Sequence, residues 1–303
     1  GHGSPSQTPS VLESENSLDL QDILGNFSYD DSNETFLDYD AAPCHNEYCP
    51  LFQSVAPTFL AITCAAAALS TGALLVALAK WPHAWGWPQS RALVAQLAVG
   101  MGLFTALLPS VAVGIRRGWR MGTGLCSLTH LLWHWSLFAQ GLLVGSSSCS
   151  TAWSRWDPRS RRLAVALWAL ALLLATPVAL ASGTVASPKP SCLRQSVDIL
   201  SPAYLLHLVL CLCLFLLLPV VLLVATVAVP RLRAGWRPGI GASWLFFGLW
   251  VPYGVGLTVD FLLRARLLQP SCSTFEHFDY VLGLSEGLGV LHCCLWPVAL
   301  IAT

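Results

Sequence analysis

Six stretches of the chain run without a single Asp, Glu, Lys or Arg: 48–79, 92–115, 121–154, 163–188, 199–230 and 238–259. A seventh, 280–303, is interrupted only by Glu286. Each can hold the roughly 20 apolar residues that cross about 30 Å of hydrocarbon as a helix. The runs are continuous rather than alternating, which argues against a membrane β-barrel. Several contain proline (Pro109, Pro177, Pro219, Pro252, Pro297), which membrane helices tolerate because neighbouring groups re-satisfy the freed backbone. The pattern predicts an all-α membrane protein. Its seven-helix bundle covers 51–303, with helices at about 54–79, 92–115, 122–150, 163–183, 201–229, 239–263 and 276–302. Composition agrees: 55% of the 303 residues are hydrophobic and 11% charged, against about 25% charged in soluble domains.

The net charge of zero hides a segregation. Glu13, Glu15, Asp19, Asp22, Asp30, Asp31, Glu34, Asp38, Asp40 and Glu47 all lie within residues 1–50, and no Lys or Arg precedes Lys80. So acidic and aliphatic-poor a tail is expected to be disordered on its own. Its opening has neither a basic start nor an apolar core, so the first span is expected to act as the insertion signal. The Arg155–Arg162 cluster reads as a positive patch on the inner membrane face, and no nucleic-acid partner is expected.

Basic residues orient the bundle only weakly. With the tail outside, the inner loops carry Lys80, Arg91, Arg155, Arg159, Arg161, Arg162, Arg231, Arg233 and Arg237, against seven Lys/Arg in the outer loops, a slight excess of the expected sign. NFS at Asn26 and NET at Asn33 add two glycosylation acceptors to the tail. Cysteines give a third signal. Cys44, Cys49, Cys126, Cys192 and Cys272 fall near the same face, where an oxidising exterior permits bridges. Cys126 opens the third helix and pairs naturally with Cys192 in the loop after the fourth. Cys272 can tie to either Cys44 or Cys49. Cys64, Cys149, Cys211, Cys213, Cys293 and Cys294 lie within helices and read as small apolar packing residues.

Ionisable groups at membrane depth are functional candidates. Glu286, near the outer end of the last helix, reads as an anchor for an entering cationic group. His130 and His134 lie four apart on one helix face, a metal-ligand spacing, with His207 and His292 on other helices. Such a cluster raises the option of an intramembrane zinc hydrolase. With no second carboxylate at that depth, packing within HLLWHW is the simpler reading, and no cofactor or metal is expected. In the tail, Tyr29 in SYDDS and Tyr39 in LDYDA are flanked by acids and suit sulfation. A tethered polyanion of this kind attracts basic partners.

The last helix, SEGLGVLHCCLWPVALIA, resembles the chemokine-receptor branch of the rhodopsin-like receptors. Other landmarks match that branch across the membrane region: Trp119 seven before Cys126 in a WxxG pattern, Trp168 and Pro177, Pro219, and WVPY from Trp250 to Tyr253. The resemblance favours the bridges Cys126–Cys192 and Cys44–Cys272. It also shows what has been lost. The family's inner Asp-Arg-Tyr triplet falls on Ser150, Thr151 and Ala152, within GSSSCSTAWSRW. The helix-one Asn becomes Ala73, the helix-two Asp Met101 and the helix-five Tyr Val227. Asn-Pro-x-x-Tyr becomes Trp296-Pro297-Val298-Ala299-Leu300. In the family these groups rearrange when a G protein is engaged, and without contacts that differ between two states a ligand cannot shift their balance. AQLAVG, FAQ at 138–140, PVALASG, VPYGVGLTVDFLL and the tail's DYDAAPCH narrow the resemblance to an atypical member of the branch.

The resemblance implies a non-enzymatic scavenger at the cell membrane, with an extracellular N-terminus and endosomal passage during ligand transport. It would capture basic inflammatory chemokines of more than one subfamily without G-protein signalling. The expected ligand contacts are Tyr29, Asp30, Asp31, Asp38, Tyr39 and Asp40 in the tail, then Trp119, Asp260 and Glu286 in the outer pocket. Lipid surrounds the bundle, and a receptor dimer stays open. The alternatives are a conventional G-protein-coupled receptor for chemokines or peptides and the zinc hydrolase.

Overall fold

A computed structural model describes residues 48–80, 88–150, 161–185, 191–193, 201–228, 240–265 and 272–302. The first four helices are α1 (Tyr48–Lys80), α2 (Pro88–Arg117), α3 (Thr123–Ser150) and α4 (Arg161–Ala181). A two-stranded antiparallel hairpin follows, β1 (Gly183–Val185) and β2 (Ser191–Leu193), with Thr184 opposite Cys192. The fifth span comprises α5 (Pro202–Leu212), a π-helical turn at Cys213–Leu217 and α6 (Leu218–Ala228). The sixth is α7 (Ile240–Arg264), and the seventh is α8 (Cys272–Val290) followed by α9 (His292–Ala302).

Two spans depart from a single regular helix. Pro219 has no N–H to give and would clash with the carbonyl four residues back, so the preceding turn widens. The Leu218 amide reaches five residues back to the Cys213 carbonyl, the π pattern. The seventh span breaks at Leu291. There a His292 ring nitrogen donates to the Gly289 carbonyl at 2.8 Å, occupying an acceptor that the irregular turn leaves exposed.

Six of the spans are long and apolar enough to cross a membrane; α3 falls short by composition. The reason is its position. α3 packs against α2 and α4 and touches the π turn, α6 and α7, so its middle faces protein rather than lipid. His134, Ser136, Phe138 and Gln140 are all buried there, and an enclosed helix can carry polar groups that a lipid-facing one cannot. Outward positions on the other spans are large and apolar: Leu69 is 77% exposed, Leu180 74% and Leu173 68%. So much exposed aliphatic surface suits hydrocarbon, not water.

The core is aromatic at mid-bundle. Trp250 stacks on Phe215 with ring centroids 5.5 Å apart and meets Tyr253 and His292 edge-on. It also lies against α8 at Gly289, where an added Cβ would stand 2.5 Å from the ring. Gly283 and Gly287 likewise admit Phe52 and Phe59 of α1. Small residues at helix contacts allow this close approach in membrane bundles.

Candidate functional site

The hairpin is fastened to the end of α3 that lies on the same side of the bundle as the start of α1, here termed the tail side. A Cys126–Cys192 disulfide joins α3 to β2, with Cα atoms 5.7 Å apart. Hydroxyl contacts Thr123–Thr184 at 2.9 Å and Ser182–Ser127 at 3.3 Å add two further ties. His130 Nε2 lies 3.1 Å from Cys192 Sγ, so this histidine packs on the bridge.

Trp119 explains the WxxG spacing. Its indole N–H donates to the Gly122 carbonyl at 2.8 Å, and the ring is only 5% exposed. Gly118 and Gly122 turn the loop with φ of 83° and 91°, a region that favours glycine. The ring lies over Gly114, where a Cβ would come within 2.7 Å. Trp119 therefore locks the loop between α2 and α3 from beneath.

Glu286 is half-buried on α8. Helical spacing places it on one face with Leu282 and Gly289, and these meet α7 at Gly256 and Trp250. It therefore stands a turn on the tail side of Trp250. The floor below it is aromatic: Phe104 meets Trp133 at 4.2 Å, His292 at 4.8 Å and Trp250 at 6.3 Å between centroids. Asp260 on α7 is buried at 3% exposure, and its Oδ1 pairs with Arg264 Nε at 3.3 Å, one turn along the same helix. The expected pocket acid thus already carries a cation of its own chain.

The far half of the bundle is apolar where the family resemblance places polar groups. Met101, at the expected Asp position, has no exposure. Trp296, at the expected Asn position, is equally enclosed and stacks on Phe246 at 5.1 Å and 29°. Leu300 is buried beside them. Ala73 and Val227 instead face outward, the latter 63% exposed. Ser150 ends α3.

Tyr29, Asp30, Asp31, Asp38, Tyr39, Asp40, Asn26, Asn33, Cys44, Thr151 and Ala152 lie outside the described residues, as does the side chain of Cys272. The four histidines do not form one cluster. His130 lies on the disulfide, and His292 sits among Phe104, Phe246 and Trp250. Only His134 and His207 meet, with Cys211 beside them. That grouping contains no carboxylate to activate water, as a zinc hydrolase would need. Two features had no sequence signal beyond residue type: the buried Gln140, whose amide N–H donates to the Ser136 carbonyl at 3.0 Å, and the inclusion of Cys211.

A seven-span bundle with a disulfide-pinned hairpin over an aromatic floor and a half-buried glutamate one turn above it defines a membrane receptor of the chemokine-receptor type. Comparison with known proteins narrows this. The chain is 36% identical to atypical chemokine receptor 1 of Macaca mulatta over 309 residues, covering 94% of this chain and 86% of that protein. Against the human receptor it is 36% identical over 303 residues, covering 95% and 86%. Against the Mus musculus receptor it is 31% identical, covering 91% and 83%. No protein-family model matches the chain. The chain belongs to the atypical chemokine receptor 1 family, that of the Duffy antigen. That is a family of multi-pass receptors, not of enzymes.

Proposed function

We propose that the chain is a silent capture receptor, binding basic chemokines of more than one subfamily at the cell membrane without activating a G protein. The acidic tail, sulfated on Tyr29 and Tyr39, grips the basic surface of the folded chemokine. Glu286 then receives the chemokine's amino terminus above the aromatic floor. Tethering two modest contacts raises the effective concentration of the second. The tail side faces outward, glycosylated at Asn26 and Asn33. The Cys126–Cys192 bridge on that side supports this orientation, because disulfides persist in oxidising compartments. By family analogy a Cys44–Cys272 bridge pins the tail base, and ligand-loaded receptor passes through endosomes.

The observation that carries the silent part is the packing of the far half. Met101 is fully enclosed and Trp296 stacks on Phe246 where a switching receptor of this kind places polar groups that exchange partners. The test is chemokine binding to purified receptor in membranes, run beside guanine-nucleotide exchange on added G protein. Binding of several chemokines without exchange is expected. Ligand-dependent exchange would overturn the silent reading in favour of a conventional receptor, and loss of neither affinity nor breadth in Glu286→Ala or Tyr39→Phe would overturn the two-part grip.

A further inference from the structure

His134 on α3 and His207 and Cys211 on α5 converge inside the bundle, their ligand atoms all within 4.8 Å of one another. Their side chains are almost fully enclosed, at 1%, 4% and 0% exposure. The two imidazoles stand perpendicular, 89° apart, with centroids separated by 4.7 Å. Cys211 Sγ is 3.7 Å from His207 Nδ1 and 3.6 Å from Nε2. His134 Nδ1 is 2.8 Å from the His130 carbonyl. A carbonyl can only accept, so Nδ1 carries the proton and Nε2 is left with its lone pair, the tautomer that metal-bound histidines adopt when a carbonyl orients them.

From this geometry we propose a buried monovalent-copper site formed by His134, His207 and Cys211. Metal–nitrogen bonds of about 2.0 Å and a metal–sulfur bond of about 2.3 Å in a trigonal plane separate the ligands by roughly 3.5–3.7 Å. Cys211 Sγ stands almost equally far from the two His207 nitrogens, 3.7 and 3.6 Å, so the His207 ring turns to aim one of them at the ion. A thiolate with two imidazoles is a soft donor set, which selects copper(I) or zinc over calcium, magnesium or manganese. Charge decides between the two. Copper(I) with one thiolate and two neutral imidazoles has no net charge, whereas zinc leaves one positive charge in a low-dielectric interior and favours a fourth ligand. The bound ion joins the third span to the fifth beside the Phe138–Phe215 ring contact. The site stands apart from Glu286 and does not depend on how ligand is captured.

The test uses the full chain in detergent, titrated with copper(I) under ascorbate, which spares disulfides, against a colorimetric copper(I) chelator. One copper(I) per chain is expected, held more tightly than zinc. Cys211→Ser, His134→Gln and His207→Gln should each weaken binding beyond the roughly 10–100-fold typical of losing an outer-shell partner. Cys64→Ser and Cys293→Ser, at two of the other free thiols of the bundle, should leave it unchanged. X-ray absorption on the loaded parent, which needs no variant to fold, should show one sulfur and two nitrogen neighbours. An all-sulfur shell, tighter zinc binding or no stoichiometric uptake would each overturn the assignment.

Discussion

Gly289→Ala puts the mid-bundle packing to a direct test. A Cβ at this position would lie 2.5, 2.6 and 2.8 Å from Cε3, Cζ3 and Cδ2 of Trp250. Three contacts on one rigid ring cannot be relieved by a side-chain tip, so the whole indole or the α7–α8 contact must shift. The indole has little freedom, because Phe215, Tyr253, His292 and Phe104 hold it on other sides. Overpacking of this kind destabilises by about 1–3 kcal/mol. On the scale of soluble domains of comparable size, that lowers the melting temperature by roughly 2–12 °C. The matched control is Gly248→Ala on the same α7 helix, where an added Cβ meets nothing within 4 Å. There the helix-propensity gain of up to about 1 kcal/mol makes the change neutral or stabilising. The assay is thermal unfolding in detergent, followed by reaction of buried cysteines with a thiol-reactive dye. Trp250→Phe in the Gly289→Ala background should recover part of the loss, giving a coupling energy of about 1 kcal/mol or more. Equal melting temperatures for Gly289→Ala and Gly248→Ala would refute the packing argument.

Glu286→Gln is expected to weaken chemokine binding about tenfold or more, since hydrogen bonds to a charged group are worth about 1.5–3 kcal/mol. Asp260→Asn should change it less than about threefold, because Asp260 is already paired with Arg264; equilibrium binding of one labelled chemokine to both variants decides. Opening the 66-residue Cys126–Cys192 loop by a Cys126→Ser, Cys192→Ser pair should lower stability by at most about 4 kcal/mol on the chain-entropy account, and the melting temperature of the pair should respond less to reductant than that of the parent. Trp119→Phe keeps the ring but loses the donor to Gly122, a loss of about 1 kcal/mol read as a small drop in melting temperature. Met101→Asp places an unpaired carboxylate at a position without exposure and should destabilise by about 3–5 kcal/mol, without creating nucleotide exchange in the coupled assay.

The spans were legible because hydrocarbon imposes a length and a composition that few soluble segments share. Their irregularities were less so. Proline at 219 marks a place where a helix must yield, but whether it kinks or takes up a π turn depends on what packs around Phe215. α3 was recognisable from its lack of charge, while its enclosure shows only in three dimensions. That enclosure is why His134 and Gln140 sit there. The WxxG spacing was visible as a pattern, and its cause is a loop whose indole bonds to its own closing glycine. The meeting of His134 with Cys211 had no local signature, because it depends on the rotation of two helices far apart in sequence. The altered switch positions were readable only by analogy, and they prove unequal: Met101 and Trp296 are internal, whereas Ala73 and Val227 face outward.

That inequality bears on the proposal that the receptor is silent. Replacing an outward residue removes a polar group available to a moving helix, but leaves the resting bundle unchanged. An internal replacement does more, because the new side chain must be packed. Met101 and the Trp296–Phe246 stack occupy the interior with groups whose attraction depends on close, static contact. Dispersion falls steeply with a gap of even 0.5–1 Å, so sliding α9 past α7 would forfeit that contact. Polar networks differ, since their members can exchange partners at similar energy. On the tail side the chain keeps groups whose interactions reach further: an acidic segment acting through charge, and Glu286 above an aromatic floor. On the proposed silent reading, ligand binding energy delivered there finds no pair of comparable arrangements on the far side to choose between. A ligand that favours neither state shifts nothing, however tightly it binds. On that proposal, capture and silence follow from the same division of the bundle: long-range charge on the tail side and static apolar packing on the far side.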